Sequence, residues 1–409
     1  MKAERKFPWA AVTKKAEKML NAGHVWVYDA EITGMSGQPE NGALVDVKGP
    51  AGKYLGTGFL SLSSKIRIRI ISKNANDTFD EAFWERRLRY AWQYRKDVMG
   101  DEIGYCRLIF GEADQFPGLT VDRYGDVLVT QVLSYGIEQI KGLLYTKLAE
   151  ILEQDGVRIA GIYERNDLAA RKLEGLEECK GWYPLPGRKT PVSTLLTIEE
   201  NGLKYNIDIE NGQKTGYFLD QRYNRRAVAE IARGKKVLDC FTHTGAFALN
   251  AAKGGAARVT AVDISADALE LAKENARLNG LEDKMDFLQA DVMDLLPRML
   301  AEGRRDYDLI ILDPPAFTKS RKTVDNAMRG YKEINFRAMK LLPRGGYLAT
   351  CSCSHFAEEW RFKEMLRDAA KEAGVSLKQI EARQQAKDHP ILWGVEETNY
   401  LKFFLFQVI

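Results

Sequence analysis

The chain is expected to end in a doubly wound α/β sheet whose last strand runs antiparallel, preceded by an α+β middle domain and an amino-terminal β-barrel. Three patterns carry this expectation. In the last half, the apolar runs KKVLDC, RVTAVDIS, MDFLQAD, DLIILDPP and GYLATCSC alternate with helical segments, which is the pattern of a parallel sheet covered on both faces. The closing runs SLKQIEARQQ and NYLKFFLFQVI have no helical crossover between them, so they should pair antiparallel. Near the amino terminus, HVWVYDAEI, ALVDVKG, GKYLGTGFL and SKIRIRIIS are short strand-like runs punctuated by glycine, as in a small closed barrel.

Composition narrows the class. A chain of 409 residues, 45% hydrophobic and 29% charged, has room for two or three cores. Five cysteines, no signal peptide and no apolar run of about eighteen residues predict reduced thiols, a cytoplasmic location and no membrane partner. The net charge of +3 is too small to mark a nucleic-acid binder by itself, so local clusters must carry that argument. With only His24, His243, His355 and His389, no CxxC pair and no HExxH, no metal site is expected. The oligomeric state stays open, a homodimer being one option.

Residues 1–73 form the first domain. In SKIRIRIIS, Lys65, Arg67 and Arg69 share one face while Ile66, Ile68 and Ile70 share the other. The cationic face either tracks phosphates or is a solvated strand surface. The order GHVWVY, a glycine-rich middle and a closing SKIRIR run resembles the PUA domain, a small RNA-binding barrel. Residues 74–186 read as the α+β domain: a helix over 77–97 with cap candidates at 74–77, turns at Phe116-Pro117-Gly118 and Tyr124-Gly125-Asp126, a helix over 137–154, and the strand IAGIYERND. Arg86, Arg87, Arg89, Arg95 and Lys96 cluster there, extending an RNA surface or simply solvating a helix face.

Residues 187–409 carry the chemistry. A leading strand over 203–210 and a helix over 220–233 feed the stretch 235–249, which reads as a buried strand ending near Asp239, a turn around Gly245, and a helix N-terminus. Asp263 falls at the tip of the next strand, before a helix capped by Ser265. Asp291, Asp313 and the pair Cys351 and Cys353 fall at three further strand ends, the edge where such sheets bind ligands. FTHTGAF has one glycine rather than GxGxxG, so the close approach that a dinucleotide pyrophosphate needs is missing. Asp313-Pro314-Pro315 holds a carboxylate on a fixed backbone. Together with the antiparallel last strand, these features favour S-adenosylmethionine over NAD, leaving a dehydrogenase a distant alternative. Gly212-Gln213-Lys214-Thr215 lacks the glycine of a Walker loop.

A cysteine and a carboxyl group at adjacent strand ends suit one reaction in particular. The ring carbon 5 of a pyrimidine is a poor nucleophile until a thiolate adds at carbon 6. Cys353 and Asp313 are the candidates for these roles. The runs GHVWVY, SKIRIR, GEADQFPGLTVDRYGD, QKTGYFLDQRYNR, VLDCFTHTGAF, VDIS, LDPPAF and TCSCSH make the chain resemble, over essentially its full length, the PUA-containing large-subunit ribosomal RNA cytosine-C5 methyltransferases. That resemblance implies a class I, Rossmann-like methyltransferase sheet of seven strands, S-adenosylmethionine as cofactor and ribosomal RNA as partner. It implies Cys353 as nucleophile, Asp313 facing the base and Phe317 stacking on it. Phe241, Thr242, Gly245, Asp263, Ile264, Asp291 and Asp313 would surround the cofactor. Gln213, Lys214, Thr215, Tyr217, Phe218, Asp220, Gln221 and Arg222 would close the site, with Lys214, Arg222, Lys65, Arg67 and Arg69 as RNA contacts. Cys351 is expected to be buried. Two alternatives remain at this level, a guanine-N7 RNA methyltransferase and a noncatalytic RNA-binding assembly factor.

Overall fold

The computed structural model describes residues 5–318 and 320–409. They belong to two compact units, one holding the chain up to Leu196 with Asp208–Leu219 and Lys387–Thr398, the other holding Thr197–Ile207, Asp220–Ala386 and Asn399–Ile409.

The second unit is built on seven strands, β1 (Lys236–Cys240), β2 (Arg258–Asp263), β3 (Met285–Gln289), β4 (Leu309–Leu312), β5 (Tyr347–Ser352), β6 (Leu377–Arg383) and β7 (Lys402–Val408). Their order is β3-β2-β1-β4-β5-β7-β6. The first five run parallel, and β7 runs antiparallel to both β5 and β6. The reason is covalent reach: the parallel strands that follow one another in the chain are joined through α-helices, whereas no α-helix lies between β6 and β7. The helices are α1 (Arg222–Ile231), α2 (Ala246–Lys253), α3 (Ala266–Leu278), α4 (Val292–Ala301), α5 (Val324–Leu341) and α6 (Glu359–Ala373). Strand β4 is buried along its whole length, as its uninterrupted LIIL run requires of a central strand covered on both faces. Leu238, Ile310, Leu312 and Leu348 pack against Met339, Phe362 and Leu366 in one core. Full burial of each such side chain contributes about 1.5–3 kcal/mol. Residues 203–210, expected to lead this sheet, instead contribute Leu203–Asp208 to a separate two-stranded sheet with Leu195–Glu200.

The first unit contains a six-stranded sheet ordered Trp26–Tyr28, Ile66–Ser72, Tyr54–Leu60, Leu44–Lys48, Trp9–Val12, Ile32–Met35. Two of its elements escape the sequence pattern. Trp9–Val12 is a strand parallel to Leu44–Lys48, and Lys14–Asn21 is a helix capped by the Thr13 hydroxyl. The strand is only four residues long, and the helix buries only Ala16 and Leu20, so neither shows a full period.

A five-stranded sheet follows, Cys179–Tyr183, Gly161–Asn166, Val127–Val132, Leu119–Tyr124 and Tyr105–Phe110 in spatial order. Its core joins Val121, Leu128 and Ile162 to Leu88 and Trp92 of the helix Glu81–Met99 and to Leu148 and Leu152 of the helix Tyr135–Gln154. The first of these helices starts later than its acidic neighbours suggest. Asp80 Oδ1 accepts from Phe83 N at 2.9 Å and caps it, whereas Asp77 Oδ2 is taken by the Ser72 hydroxyl at 2.5 Å.

The basic cluster of this helix is largely ion-paired, with one member buried and the others at the surface. Arg95 is fully buried and grips both oxygens of Asp114 at 2.6 and 2.7 Å, while Arg86, Arg89 and Lys96 pair with Asp77, Glu85 and Asp155. Among the described residues no helix is long and apolar enough to cross a membrane, and no group of three or more His, Cys, Asp or Glu side chains is placed to hold a metal ion.

Candidate active site

The turn after β1 is built around a buried carboxylate. Asp239 is 0% exposed, and its Oδ2 accepts from the Thr242 hydroxyl at 2.5 Å and from Ala248 N at 2.9 Å, tying strand, turn and α2 together. Burial pushes this carboxyl up to about 7, with the charges of Asp313 and Asp263 acting in the same direction and the two hydrogen bonds opposing it. The turn bends through three left-handed residues, Phe241 (φ 65°), His243 (φ 51°) and Gly245 (φ 84°). A β-carbon at Gly245 would lie 3.1 Å from Ala272 Cβ, so glycine is needed there for space as well as conformation. At Phe241 and His243 the same conformation costs about 1–2 kcal/mol each. Part of what holds it is a bond from His243 N to Asp263 Oδ2 at 2.8 Å.

The other strand ends converge on this turn. Asp263 closes β2, and its Oδ1 accepts from Ser265 N at 2.9 Å. The neighbouring Ile264 is apolar and yet 66% exposed. Asp291, beyond β3, caps α4 by accepting from Met293 N at 2.8 Å. Asp313, just past β4, accepts from Gln221 Nε2 at 2.9 Å, and Gln221 Oε1 accepts from Asn224 at 2.6 Å. Cys353 follows β5 directly, is half-buried, and places Sγ 3.9 Å from Pro314 O on the neighbouring strand end. Cys351 is 0% exposed, and burial followed by the Asp313 charge pushes its thiol far above the usual range. Of the two cysteines only Cys353 is accessible. The Phe317 ring leans on Tyr331 with centroids 4.6 Å apart, and the Tyr331 hydroxyl meets Ser354 Oγ at 2.9 Å.

Several expected RNA contacts need correction. Arg222 is 1% exposed and shares Glu200 with Arg225, at 3.3 and 2.6 Å, so it is an interior ion pair and has no open face for phosphate. In the other unit, Arg69 is held between Glu112 at 3.3 Å and Glu174 at 3.0 Å, and Arg67 pairs with Asp29 at 2.8 Å. The expected cationic strip is therefore largely neutralised, and Lys65 is its exposed member. Lys214, also in that unit, is exposed, with Nζ 4.8 Å from the centre of the Phe218 ring. Two residues near the site were missed from sequence. The Tyr400 hydroxyl bonds Asp220, and Lys402 is 4% exposed at the head of β7, where a lysine opening the apolar run KFFLF was the available signal.

Carboxyl groups at adjacent strand tips, an exposed apolar side chain beside Asp263 and a helix N-terminus suit a cofactor carrying a ribose diol, a flat base and a positive centre. S-adenosylmethionine has all three.

Comparison with known proteins agrees. Residues 185–407 match the family described as S-adenosylmethionine-dependent methyltransferase, and residues 11–73 match a PUA-like domain. The ribosomal RNA large subunit methyltransferase I of Klebsiella pneumoniae (strain 342) is 40% identical over 405 residues, covering 98% of this chain and 99% of its own. Its counterpart from Cronobacter sakazakii is 40% identical over 400 residues, covering 97% and 98%. A Streptococcus mutans structure assigned to the SAM-dependent methyltransferases superposes with a TM-score of 0.81 over 98% of this chain and 99% of its own; at 24% identity it shows the shared fold. A methyltransferase complexed with SAH superposes likewise, with a TM-score of 0.82, 24% identity and the same coverage. The chain thus has the class I methyltransferase fold behind a PUA-like domain, uses S-adenosylmethionine, and belongs to the family that includes the ribosomal RNA large subunit methyltransferase I proteins.

Proposed function

We propose that this protein methylates carbon 5 of a cytosine in large-subunit ribosomal RNA, with Cys353 as a transient covalent nucleophile. The observation that carries this reading is the pairing of an accessible thiol at the end of β5 with the Asp313 carboxyl at the end of β4, the neighbouring strand. The RNA class comes from the named relatives, which match nearly the whole chain.

Cys353 Sγ adds to carbon 6 of the base, breaking the 5,6 double bond and leaving an enamine whose carbon 5 is nucleophilic. Asp313, held by Gln221 and acting as the carboxylic acid, donates a hydrogen bond to the ring edge and stabilises the negative charge that thiolate addition places there. Bound S-adenosylmethionine would supply the electrophilic methyl group, and carbon 5 attacks it as the methyl–sulfur bond breaks to leave the neutral thioether S-adenosylhomocysteine. Loss of the carbon-5 proton then restores the double bond and expels the Cys353 thiolate. Asp263 would accept hydrogen bonds from the ribose diol of the cofactor, and Ile264 would offer an apolar side chain to its base. Phe241, Thr242, Gly245 and Asp291 complete that pocket. Phe317 stacks on the target cytosine, which leaves its helix at a cost of a few kcal/mol, on the order of one lost base step, if paired. Lys65 and Lys214 contact RNA phosphates. In this scheme residues 1–73 and 74–186 choose the RNA, and residues 187–409 perform the reaction.

The product identifies the reaction. Ribosomal RNA incubated with methyl-labelled S-adenosylmethionine and digested to nucleosides is expected to carry the label in 5-methylcytidine. Label in a methylguanosine would sink the cysteine mechanism.

A further inference from the structure

Lys402 opens β7, and the strand register sets it opposite Ser352, the last residue of β5. It is 4% exposed, and its Nζ donates to Ser354 O at 2.7 Å and to Tyr400 O at 2.8 Å. Its side chain therefore starts beside Ser352 and ends at Ser354, the two residues that flank Cys353 in the chain. No carboxylate of the described residues lies at ion-pair distance from it. Two carbonyl dipoles satisfy part of the ammonium, but a buried charge without a counter-ion is costly.

We propose that Lys402 is the positioning residue for the Cys353 thiolate, its ammonium serving as counter-ion to the sulfur. The inference rests on Cys353 being the nucleophile. The thiol releases its proton to solvent, and the resulting thiolate stands beside a fixed positive charge. The same charge stabilises the sulfur when the methylated base expels it.

The surrounding groups are consistent with this assignment. Burial pulls Lys402 down to about 8, while Cys353 and then Glu359 act in the opposite direction. The titratable groups interacting with Cys353 also include the phenol of Tyr331 and the thiol of Cys351. Burial pushes Tyr331 up to about 12 and Cys351 well up, so both are neutral near pH 7 and neither can balance a thiolate. The Asp313 carboxyl at the neighbouring strand end opposes a thiolate when ionised, and of the groups named here Lys402 alone brings positive charge.

The test is the pH profile of iodoacetamide alkylation of Cys353 in the full-length protein, followed by peptide mass spectrometry. Cys179 is exposed and free, and is alkylated in the same experiment as the internal comparison. The midpoint of the Cys353 profile is expected below that of Cys179. Lys402→Met should move it to or above that of Cys179 and slow alkylation at pH 7 about tenfold. Lys402→Arg should restore most of the parent profile, which a merely structural role would not do. A parent profile that coincides with that of Cys179 overturns the proposal, and this arm needs no variant to fold. So does a Lys402→Met protein with an unshifted midpoint. Neither RNA nor methyl donor enters the measurement, so a wrong nucleophile shows up separately, as methylation that survives loss of Cys353.

Discussion

Cys353→Ala is expected to lower methyl transfer to ribosomal RNA on the order of 10⁴-fold or more, with affinity for S-adenosylmethionine and thermal midpoint close to the parent's. Without addition at carbon 6 the base has no nucleophilic carbon 5, so neither donor binding nor orientation compensates. The thiol is half-buried at a strand end, and trimming it removes little packing, a loss of under about 1 kcal/mol. Cys351→Ala makes the contrast. Its sulfur is fully buried in the sheet, so the expected loss is in stability, about 1 kcal/mol, and the chemistry should survive. Single-turnover methylation, calorimetry with the donor and thermal melts separate the two variants. A Cys353→Ala protein that methylates within tenfold of the parent, or a Cys351→Ala protein that is folded but inactive, reverses the assignment.

Asp313→Asn should lower kcat about 10²- to 10³-fold, the usual effect of removing an acid aimed at developing negative charge. Asparagine keeps an oxygen that can accept from Gln221 Nε2, so the turn after β4 has reason to hold its shape. What is lost is the carboxyl group at the ring edge. The variant also removes one of the charges that hold the Asp239 carboxyl high, so Asp239 should ionise at lower pH. Donor affinity is therefore expected to stay or rise. If kcat is unchanged and only the KM for the donor rises, Asp313 serves the cofactor and not the base.

The sheet was legible because its strands advertise themselves. Short apolar runs that stop at Asp263 and Asp313 mark both the core and the edge that binds ligand, and a missing crossover marks the antiparallel last strand. The turn was legible only in part. Gly245 is visible as a glycine, but the left-handed Phe241 and His243 depend on a bond from His243 to Asp263, twenty residues on, as the 20-residue spacing shows. Ion pairs were the least legible. Arg222, Arg69 and Arg95 look alike in sequence, and what removes them from the RNA surface are Glu200, Glu112, Glu174 and Asp114, 22, 43, 105 and 19 residues away. Lys402 was hidden for a related reason: its proximity to Cys353 is set by the β5–β7 register, which no local pattern records.

The account stands or falls on a sulfur–carbon bond between Cys353 and the base. RNA carrying 5-fluorocytosine, incubated with the protein and S-adenosylmethionine, tests that bond directly, because fluorine cannot leave carbon 5 as a proton does. The predicted result is a denaturant-resistant protein–RNA complex whose cross-link maps to Cys353 and which Cys353→Ala does not form. A Cys353→Ala protein that traps as well as the parent, or a parent that methylates natural RNA yet traps none of the fluorinated one, would contradict it.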